Sequence, residues 1–376
     1  MKKALRILGS RGIPAAHGGF ETFAQTLALD LVARGWEVIV YCQQDGGGAL
    51  QEDRWQGVSR VRIPVSTPGT LGTMVFDWRA IAHAARHDEL CLTLGYNTAL
   101  FCARLRLAGV PNLINMDGIE WRRAKWGALA KAWFWINERA ACWLAEHLVA
   151  DHPAIHAHLA TRVDAARISI IPYGADEVRA DAAAEPRSLG LRSGRYLTLV
   201  ARAEPENSIL EIVSAFLARP RGVKLAVLGH YEPGHAYHAQ VRASASDEVL
   251  FLGAVYDPAV VQQLRAHALG YIHGHRVGGT NPSLVEALAA HNAVFAHDNL
   301  FNRWVAGEGA AYFSDAEALD RVLTRVLADS EELTRMRRAS AERHARGLDN
   351  QTVMAQYRGL LERWLPAAAP RHAQGR

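Results

Sequence analysis

Short apolar runs alternate with longer amphipathic stretches along the first half of the chain. Apolar runs of strand length occur at residues 4–9, 37–42, 90–94, 112–116, 147–150 and 168–171. The stretches between them have helical spacing, as in residues 20–34. Such alternation is typical of a parallel sheet covered by helices on both faces. The pattern therefore predicts a Rossmann-like α/β domain.

The second half repeats this alternation after a polar, alanine-rich connection at residues 176–195. Its apolar runs lie at residues 196–201, 224–229, 249–253, 270–273 and 293–297. We therefore predict a second Rossmann-like domain. Ligands of open α/β sheets bind at the carboxyl ends of the strands, so two facing domains are expected to hold a substrate in the cleft between them.

The predicted boundaries follow from these patterns. They are an N-terminal domain over residues 1–178, a C-terminal domain over 179–350, a last amphipathic helix over 351–366 and a disordered tail over 367–376.

Composition narrows the functional classes. The 42 Lys and Arg residues nearly balance the 38 Asp and Glu residues, which gives no reason to expect a nucleic-acid partner. The four cysteines are widely spaced and apolar in context, so a reducing cytoplasm is expected rather than a disulfide framework. Residues 1–9 read as a first strand and not as a signal peptide. No apolar window is long enough to span a membrane, so any membrane contact is expected to be peripheral.

The most informative segment is residues 272–288, IHGHRVGGTNPSLVEAL, which ends a predicted strand and begins a helix. Asn281 is placed to cap this helix and Pro282 to occupy its first position. Unpaired first-turn N–H groups and the positive helix end suit a phosphate, which two preceding glycines leave room to approach. Glu286, about one turn further in, would then accept hydrogen bonds from a sugar hydroxyl. The segment indicates a nucleotide-sugar diphosphate site, and a ligand-free strand-to-helix connection is the alternative.

Two further loops follow predicted strands and open helices. Gly18 and Gly19 would let backbone amides approach a phosphate or sugar, and a flexible loop is the alternative. Arg202 would hold a phosphate through a forked pair of hydrogen bonds, while Glu206 or Asn207 reaches a hydroxyl. The alternative for Arg202 is an ion pair between domains.

A third loop follows the run at residues 112–116. Asp117 and Glu120 are carboxylates that a hydroxyl acceptor needs for positioning or proton transfer. The alternative is that Asp117 caps the next helix and Glu120 pairs with Arg122 or Arg123. The tryptophan-rich helix that follows, with basic residues near its start, suits either an anionic bilayer surface or a partly buried core position.

Other site chemistries lack support. The glycines after the first strand do not have the spacing of a dinucleotide fingerprint, and no acidic residue ends the second strand, so an NAD enzyme is disfavoured. The His273-Gly274-His275 and His156-Ala157-His158 pairs have no Asp-x-Asp companion, so no metal is expected. No nucleophile elbow of a serine hydrolase is present.

Six ordered motifs together resemble family 4 of the retaining glycosyltransferases, which have the GT-B architecture. The motifs are RGIPAAHGGFETF (11–23), GTMVFDW (72–78), TLGYNTALF (93–101), NMDGIEWRRAKW (115–126), ARAEPEN (201–207) and GHRVGGTNPSLVEALAA (274–290). More narrowly they are similar to the bacterial polysaccharide rhamnosyltransferases. The similarity extends to about Trp364.

The resemblance implies a role for each matching residue. The N-terminal domain would be the acceptor side, the C-terminal domain would bind the nucleotide sugar, and the last helix would cross back onto the first domain. Glu286 would bind the ribose or deoxyribose hydroxyl. The implied donor-binding residues are Gly18, Gly19, Arg202, Glu206, Gly279, Thr280, Asn281, Ser283, Leu284 and Glu286. The implied acceptor residues are Glu120, Trp121 and Arg122.

Three departures from the family pattern bear on catalysis. Relatives carry a glutamate where this chain has Gly278, so the corresponding sugar contact passes to the backbone or to His275. Their usual lysine partner of the arginine falls at Asn207, which leaves Arg202 as the fixed cation. Asp117 lies near where relatives place a histidine beside the donor sugar. The catalytic candidates are therefore Asp117, Arg202 and His275.

The implied reaction is front-face substitution with retention, in which the donor phosphate leaves and accepts the proton of the acceptor. It requires no metal and no cofactor beyond the sugar donor. The expected donor is dTDP-β-L-rhamnose, and the expected acceptor is a lipid-linked saccharide at the cytoplasmic face of the inner membrane, used in making cell-surface polysaccharide. The alternatives are a UDP- or GDP-sugar donor, a nucleotide-sugar epimerase, and a non-catalytic nucleotide-binding subunit.

Overall fold

A computed structural model describes residues 3–16, 18–255 and 257–365. The chain forms two compact units, of which the first is Met1–Ile171 together with Met354–Arg376 and the second is Pro172–Val353. The tail predicted at residues 367–376 lies outside the described residues.

The first unit is built on one mostly parallel sheet. Within the described residues its strand order is β3-β4-β2-β1-β5-β6-β7-β8. The strands are β1 (Ala4–Leu8), β2 (Glu37–Asp45), β3 (Gln51–Trp55), β4 (Val58–Val65), β5 (Leu90–Leu94), β6 (Asn112–Asn115), β7 (His147–Ala150) and β8 (Ile168–Ile170). All five residues of β5 are buried, as expected for a strand covered on both faces.

Strands β3 and β4 were not anticipated from the sequence. They form an antiparallel hairpin at the sheet edge, joined by Gln56 and Gly57, which both have positive φ as in a type I′ turn. β3 has the sequence QEDRW and is largely exposed, so it lacks the apolar run that marks the inner strands.

Helices connect the strands of the first unit. They are α1 (Gly19–Ala33), α2 (Gly69–Ala84), α3 (Ala103–Leu107), α4 (Ala128–Leu144) and α5 (Pro153–Leu159). The inward faces of α1 and α2 carry buried apolar residues such as Leu27 and Phe76.

The second unit contains an all-parallel sheet with strand order β11-β10-β9-β12-β13-β14 in the described residues. The strands are β9 (Tyr196–Val200), β10 (Lys224–Leu228), β11 (Val249–Gly253), β12 (Gly270–His273), β13 (Ala293–His297) and β14 (Ala311–Phe313). The helices are α6 (Ile209–Leu217), α7 (Ala236–Arg242), α8 (Pro258–Ala266), α9 (Pro282–Ala289), α10 (Leu300–Ala306), α11 (Ala316–Leu327) and α12 (Ser330–Ala345). Phe216, Ile272 and Phe295 belong to a buried hydrophobic cluster of this unit.

The last helix, α13 (Asn350–Arg363), ends within the first unit, whose second segment begins at Met354. The hydroxyl of Tyr357 accepts a hydrogen bond from Asn115 Nδ2 at 2.8 Å, and its ring lies 4.8 Å from that of Phe23. Arg358 forms an ion pair with Asp30 of α1. The prediction that the last helix crosses back onto the first domain is confirmed.

The strand orders locate a switch point in each sheet. β9, the first strand of its unit, lies between β10 and β12, and β1 lies between β2 and β5. Loops leave such a point toward opposite faces of the sheet, which opens a crevice at the carboxyl ends of the strands. In the second unit the loops after β9 and β12 therefore flank the place where a ligand is expected.

Candidate functional site

The loops after β9 and β12 are in direct contact. A Cβ atom at Gly274 would lie 2.2 Å from the carbonyl oxygen of Asn207, so only glycine permits this approach. The backbone N–H of Arg276 donates to the carbonyl of Glu206 at 3.0 Å. These contacts bring the Arg202–Glu206 loop and the His275–Asn281 loop to the same edge of the sheet.

The Arg202 loop is held from inside by Asn207. The Asn207 side chain is buried, and its Nδ2 donates to the carbonyl of Arg202 at 2.8 Å. The Nδ2 of Asn207 therefore shapes the loop, and its contact with a ligand hydroxyl stays a prediction. The side chain of Arg202 is exposed.

The cap of α9 is as predicted. Asn281 is the N-cap residue, and Pro282 occupies the first helical position. The Asn281 side-chain oxygen accepts from the backbone N–H of Ser283 at 3.0 Å, and its carbonyl accepts from Leu284 at 3.1 Å. The expectation that the first-turn amides are unpaired is thus wrong for Ser283 and Leu284, because the cap satisfies them.

The approach to α9 depends on Gly278. This residue has φ +139°, a backbone conformation that L side chains rarely adopt, and no atom lies within 4 Å of the position of an added Cβ. The glycine therefore allows the turn and leaves open space beside it. The next residues, Gly279 and the buried Thr280, lead directly into the Asn281 cap.

Glu286 is oriented by an arginine that the sequence did not indicate. Nη2 of Arg265, at the end of α8, lies 2.6 Å from Glu286 Oε2. The Arg265 side chain is 5% exposed, whereas that of Glu286 is 40% exposed. One carboxylate oxygen is therefore engaged by a buried guanidinium while the side chain still reaches the surface.

His275 stacks on His273. Their ring centroids are 4.3 Å apart and the planes differ by 8°. Burial, together with the neighbouring His275 and His297, keeps the pKa of His273 well below its ordinary value. Imidazole lone pairs lie in the ring plane, so two parallel rings do not converge on one ion. In the described parts of the chain, no group of three or more His, Cys, Asp or Glu side chains could hold a metal ion.

The backbone of His275 is anchored by α10. Nδ2 of Asn299 and Nδ2 of Asn302 donate to its carbonyl oxygen at 3.0 and 2.9 Å. Asn299 caps α10 and Asn302 lies in its first turn, so the loop after β13 also supports the candidate site.

In the first unit, Gly18 is the N-cap residue of α1 and Gly19 is its first residue. Both are exposed. The buried carboxylate of Glu21 accepts from the backbone N–H of Arg11 at 3.0 Å, which ties the loop after β1 to the helix. His17, between these features, lies outside the described residues.

The loop after β6 holds the other first-unit candidates. Asp117 has φ +52°, and its backbone N–H donates to the side chain of Asn115 at 3.0 Å. The short helix Glu120–Arg122 is capped at Ile119 without a side-chain hydrogen bond, and α4 is capped in the same way at Gly127. The alternative in which Asp117 caps the next helix is therefore wrong.

Glu120 is paired locally. Its carboxylate accepts from Arg123 Nη1 at 2.9 Å and from Trp126 Nε1 at 3.1 Å, which confirms the alternative of pairing with an arginine. Trp121 Nε1 donates to the buried Glu138 at 2.8 Å, and the guanidinium of Arg122 lies 5.1 Å from the Trp121 ring centroid. These side chains form a fixed, partly exposed edge at the end of β6.

Residues 2–176 match a family model described as a domain of unknown function, DUF1972. No curated protein matches the sequence. The sucrose-phosphate synthase of Thermosynechococcus elongatus is 18% identical, with a TM-score of 0.78 over 96% of this chain and 99% of that one.

Two other solved structures have a similar fold over nearly the whole chain. HepE of Anabaena, in complex with UDP-glucose, is 14% identical, with a TM-score of 0.76 over 96% of this chain and all of that one. A trehalose-phosphate synthase of Burkholderia xenovorans, in complex with glucose-6-phosphate, is 14% identical, with a TM-score of 0.72 over the same shares. The chain has the GT-B fold.

The GT-B fold confirms the predicted α/β class with two Rossmann-like units. Of the sequence candidates, Gly18, Gly19, Asp117, Glu120, Trp121 and Arg122 lie in the first unit and all others lie in the second. Across residues 3–16, 18–255 and 257–365, no helix has the length and apolar character needed to cross a bilayer.

Proposed function

We propose that this protein is a glycosyltransferase that uses a nucleotide-diphosphate sugar. The observation that carries the proposal is the construction of the second unit's switch point. There the exposed Arg202 follows β9. The glycine turn and the half-exposed Glu286 of α9 follow β12, which is a neighbour of β9 in the sheet. This edge combines a cation, a helix N-terminus and a carboxylate, which suit two phosphates and a sugar hydroxyl. The shared fold with HepE, solved with UDP-glucose, supports the same ligand class.

In the proposed site each residue has a distinct task. Arg202 neutralises the diphosphate, and the amides of Gly279, Thr280 and Asn281 with the positive end of α9 bind it. The N–H groups of Ser283 and Leu284 are engaged by Asn281, so their part is to shape the helix end. Glu286, oriented by Arg265, accepts the ribose or deoxyribose hydroxyl. Glu206 and His275 lie on the two joined loops and contact the sugar side of the donor.

The proposed reaction is retaining. The bond between the anomeric carbon and the donor phosphate breaks, and the acceptor oxygen bonds to that carbon on the same face. The departing phosphate takes the acceptor proton, so no protein nucleophile is required. Arg202 and the helix end stabilise the charge that develops on this phosphate. In the first unit, Asp117, Glu120, Trp121 and Arg122 position the acceptor, and Gly18 and Gly19 let a phosphate or sugar approach the backbone at the start of α1.

The proposed donor is dTDP-β-L-rhamnose, supported by the resemblance to the rhamnosyltransferase branch of family 4. A UDP-sugar is the second candidate, favoured by the UDP and UDP-glucose complexes of HepE. The test is release of nucleoside diphosphate from dTDP-rhamnose, UDP-glucose and GDP-mannose, with lipid-linked saccharides extracted from bacterial membranes as acceptors. Acceptor-dependent release with one donor supports the proposal. Conversion of a donor without acceptor indicates an epimerase, and binding without turnover indicates a non-catalytic subunit.

We also propose that the acceptor is lipid-linked and that α4 contacts the cytoplasmic face of the membrane. Leu129, Ile136 and Trp143 recur every seven residues, so they form one stripe along α4, and Leu129 and Trp143 are 89% and 81% exposed. The Arg139 guanidinium lies 3.4 Å from the ring centroid of the adjacent, exposed Trp135. Exposed aromatic and apolar side chains with cations among them suit an anionic lipid surface.

Flotation with vesicles containing phosphatidylglycerol tests this contact. The wild-type chain is expected to float, and the double variant Leu129→Glu/Trp143→Glu is expected to remain at the bottom. The matched variant Leu189→Glu/Val260→Glu, which makes the same change in charge at two exposed apolar positions of the second unit, should float like the wild type. Equal flotation of all three proteins would show that the stripe of α4 does not contact the membrane.

A further inference from the structure

A pocket of about 300 Å³ in the first unit has no part in the function proposed above. It lies where the loop after β1 passes over the last residues of β2 and the side chains of β4. The residues that line it include Arg11, Gln43, Arg60 and Arg62. Arg60 and Arg62 are alternate residues of one strand, so they point to the same face of the sheet.

The pocket carries excess positive charge. Asp53 of β3 lies opposite Arg60 in the hairpin and accepts from its Nε and Nη2, both at 2.7 Å, and it also contacts Arg62. The hydrogen bond from Arg60 lowers the pKa of Asp53, so this carboxyl group is ionised at neutral pH. Asp53 thus pairs with two of the three guanidinium groups, and the Glu21 carboxylate lies at the backbone of Arg11, so three positive charges meet two negative ones and one positive charge is in excess.

The walls of the pocket are fixed in place. Arg60 is 12% exposed, and its Nη1 also donates to the carbonyl of Ile13 at 3.2 Å. A Cβ atom at Gly12, which has φ +114°, would lie 2.6 Å from the Sγ atom of Cys42, so the loop after β1 is pinned against β2. Burial raises the pKa of the Cys42 thiol, which therefore adds no negative charge.

A buried polar atom in the wall has no hydrogen-bond partner. It is the side-chain oxygen of Gln43, the residue after Cys42 on β2. This oxygen is enclosed within the wall, so it presents no acceptor to a ligand. The polar groups that the pocket presents to an oxyanion are therefore the guanidinium groups of Arg11, Arg60 and Arg62.

We propose that this pocket binds the anionic group of a saccharide that bears a phosphate or a carboxylate, and that this saccharide is the acceptor. Guanidinium groups pair with both oxyanions through two parallel hydrogen bonds. Arg60, held by Asp53, orients the pocket, while Arg11 and Arg62 contact the oxyanion. The identification of the ligand as acceptor rests on the proposed glycosyltransferase function. Binding of a charged saccharide does not.

Calorimetric titration of the full chain with glucose 6-phosphate, glucuronate and glucose tests the proposal. We expect at least one charged sugar to bind and glucose to bind at least about tenfold more weakly, because it makes no charge-assisted hydrogen bond. The charged sugar that binds more tightly identifies the phosphate or the carboxylate as the natural group. The variant Arg11→Gln/Arg62→Gln should weaken that sugar by about tenfold or more.

Arg54→Gln is the matched control. It removes one positive charge from β3, as each of the two substitutions in the double variant does from its own position, but Arg54 is exposed, lies next to Asp53 in the strand and so points to the opposite face of the sheet. The proposal is overturned if neither charged sugar binds, if glucose binds equally well, or if the control weakens binding as much as the double variant. Melting temperatures of all variants verify that they are folded, and the single variant Arg11→Gln replaces the double variant if that one unfolds.

Nucleotide titration of the same proteins separates this proposal from the proposed function. We expect dTDP or UDP to bind the double variant as it binds the wild type, because the nucleotide residues lie in the second unit. Loss of charged-sugar binding with retained nucleotide binding supports both proposals. Failure of charged sugars alone overturns the pocket, and failure of all nucleotides alone overturns the donor site.

Discussion

The contact between Arg265 and Glu286 couples stability to binding at the scale of single residues. In Glu286→Ala the buried Arg265 guanidinium loses its carboxylate, so the free energy of unfolding should fall by about 1–3 kcal/mol. Donor affinity should fall by about tenfold, since a hydrogen bond to a hydroxyl is lost. Urea denaturation and calorimetric titration with dTDP and UDP measure the two effects.

Two further variants isolate the cause. Glu286→Gln keeps an oxygen for Arg265 and should recover most of the stability. Glu342→Ala removes a carboxylate from an exposed pair with Arg338, and should change stability by less than about 1 kcal/mol. Unchanged nucleotide affinity in Glu286→Ala would refute the assignment of this residue to the sugar hydroxyl.

Residue types in sequence order predict part of this site and omit the rest. Asn281 and Pro282 predict a helix start because Asn prefers the N-cap position and Pro the first helical position, whatever the rest of the fold. The structure places both as expected. Arg265 precedes Glu286 by a helix end, a strand and a turn, so no local spacing indicates their contact. The Arg60-x-Arg62 alternation with Asp53 was a usable signal for the charged pocket, but it lies in a hairpin that the apolar pattern does not mark.

At the scale of elements, Gly274 determines how closely the loops after β9 and β12 approach. Gly274→Ala would place a Cβ 2.2 Å from the backbone oxygen of Asn207 and 2.6 Å from Ile212 Cδ1. Because backbone must move, we expect a loss of about 1–3 kcal/mol in the free energy of unfolding. Nucleotide affinity should fall as well, since the displaced loops carry Arg202 and His275.

Gly359→Ala is the matched control for this substitution. Gly359 is an exposed residue within α13, and no atom lies within 4 Å of an added Cβ. The change should raise stability by about 0.5–1 kcal/mol, because alanine loses less backbone entropy in a helix. If Gly274→Ala is as stable as the wild type and binds nucleotide equally well, the joined loops do not form the site.

The order of elements was largely predictable, and the exceptions have physical reasons. Inner strands such as β5 and β9 are buried on both faces and show as apolar runs. β3 is polar because it lies at an exposed edge, and β14 has only three residues. Gly278 and Gly274 also have roles that the sequence alone does not distinguish. Gly278 is needed for its positive φ, and Gly274 is needed because another loop approaches its backbone closely.

At the scale of the whole molecule, Asp77 makes stability depend on pH. Burial raises the pKa of this α2 residue to about 6, although Thr98 donates to it at 2.8 Å. The folded state therefore holds the proton longer than the unfolded state. Stability conferred by this group is complete below about pH 4 and is lost as the pH rises through about 6.

Asp77→Asn removes this titration. Above pH 6 the variant should be more stable than the wild type by at most about 3 kcal/mol, and the difference should vanish toward pH 4. Urea midpoints between pH 4 and pH 8 measure it. Asp88→Asn, at an exposed position before β5, is the control, and parallel profiles of wild type and Asp77→Asn would contradict the account.

The proposed nucleotide-sugar site is tested by calorimetric titration of dTDP and UDP, in the absence of magnesium, into the wild-type chain and into Arg202→Ala. We expect one bound nucleotide per chain, and an affinity at least about tenfold lower in the variant, because Arg202 supplies a charge-assisted hydrogen bond to the diphosphate. The melting temperature of the variant should not change, since the Arg202 side chain is exposed. A nucleotide-sugar site at this edge of the second unit would be contradicted if neither dTDP nor UDP binds the wild-type chain, or if the wild type and Arg202→Ala bind nucleotide equally well.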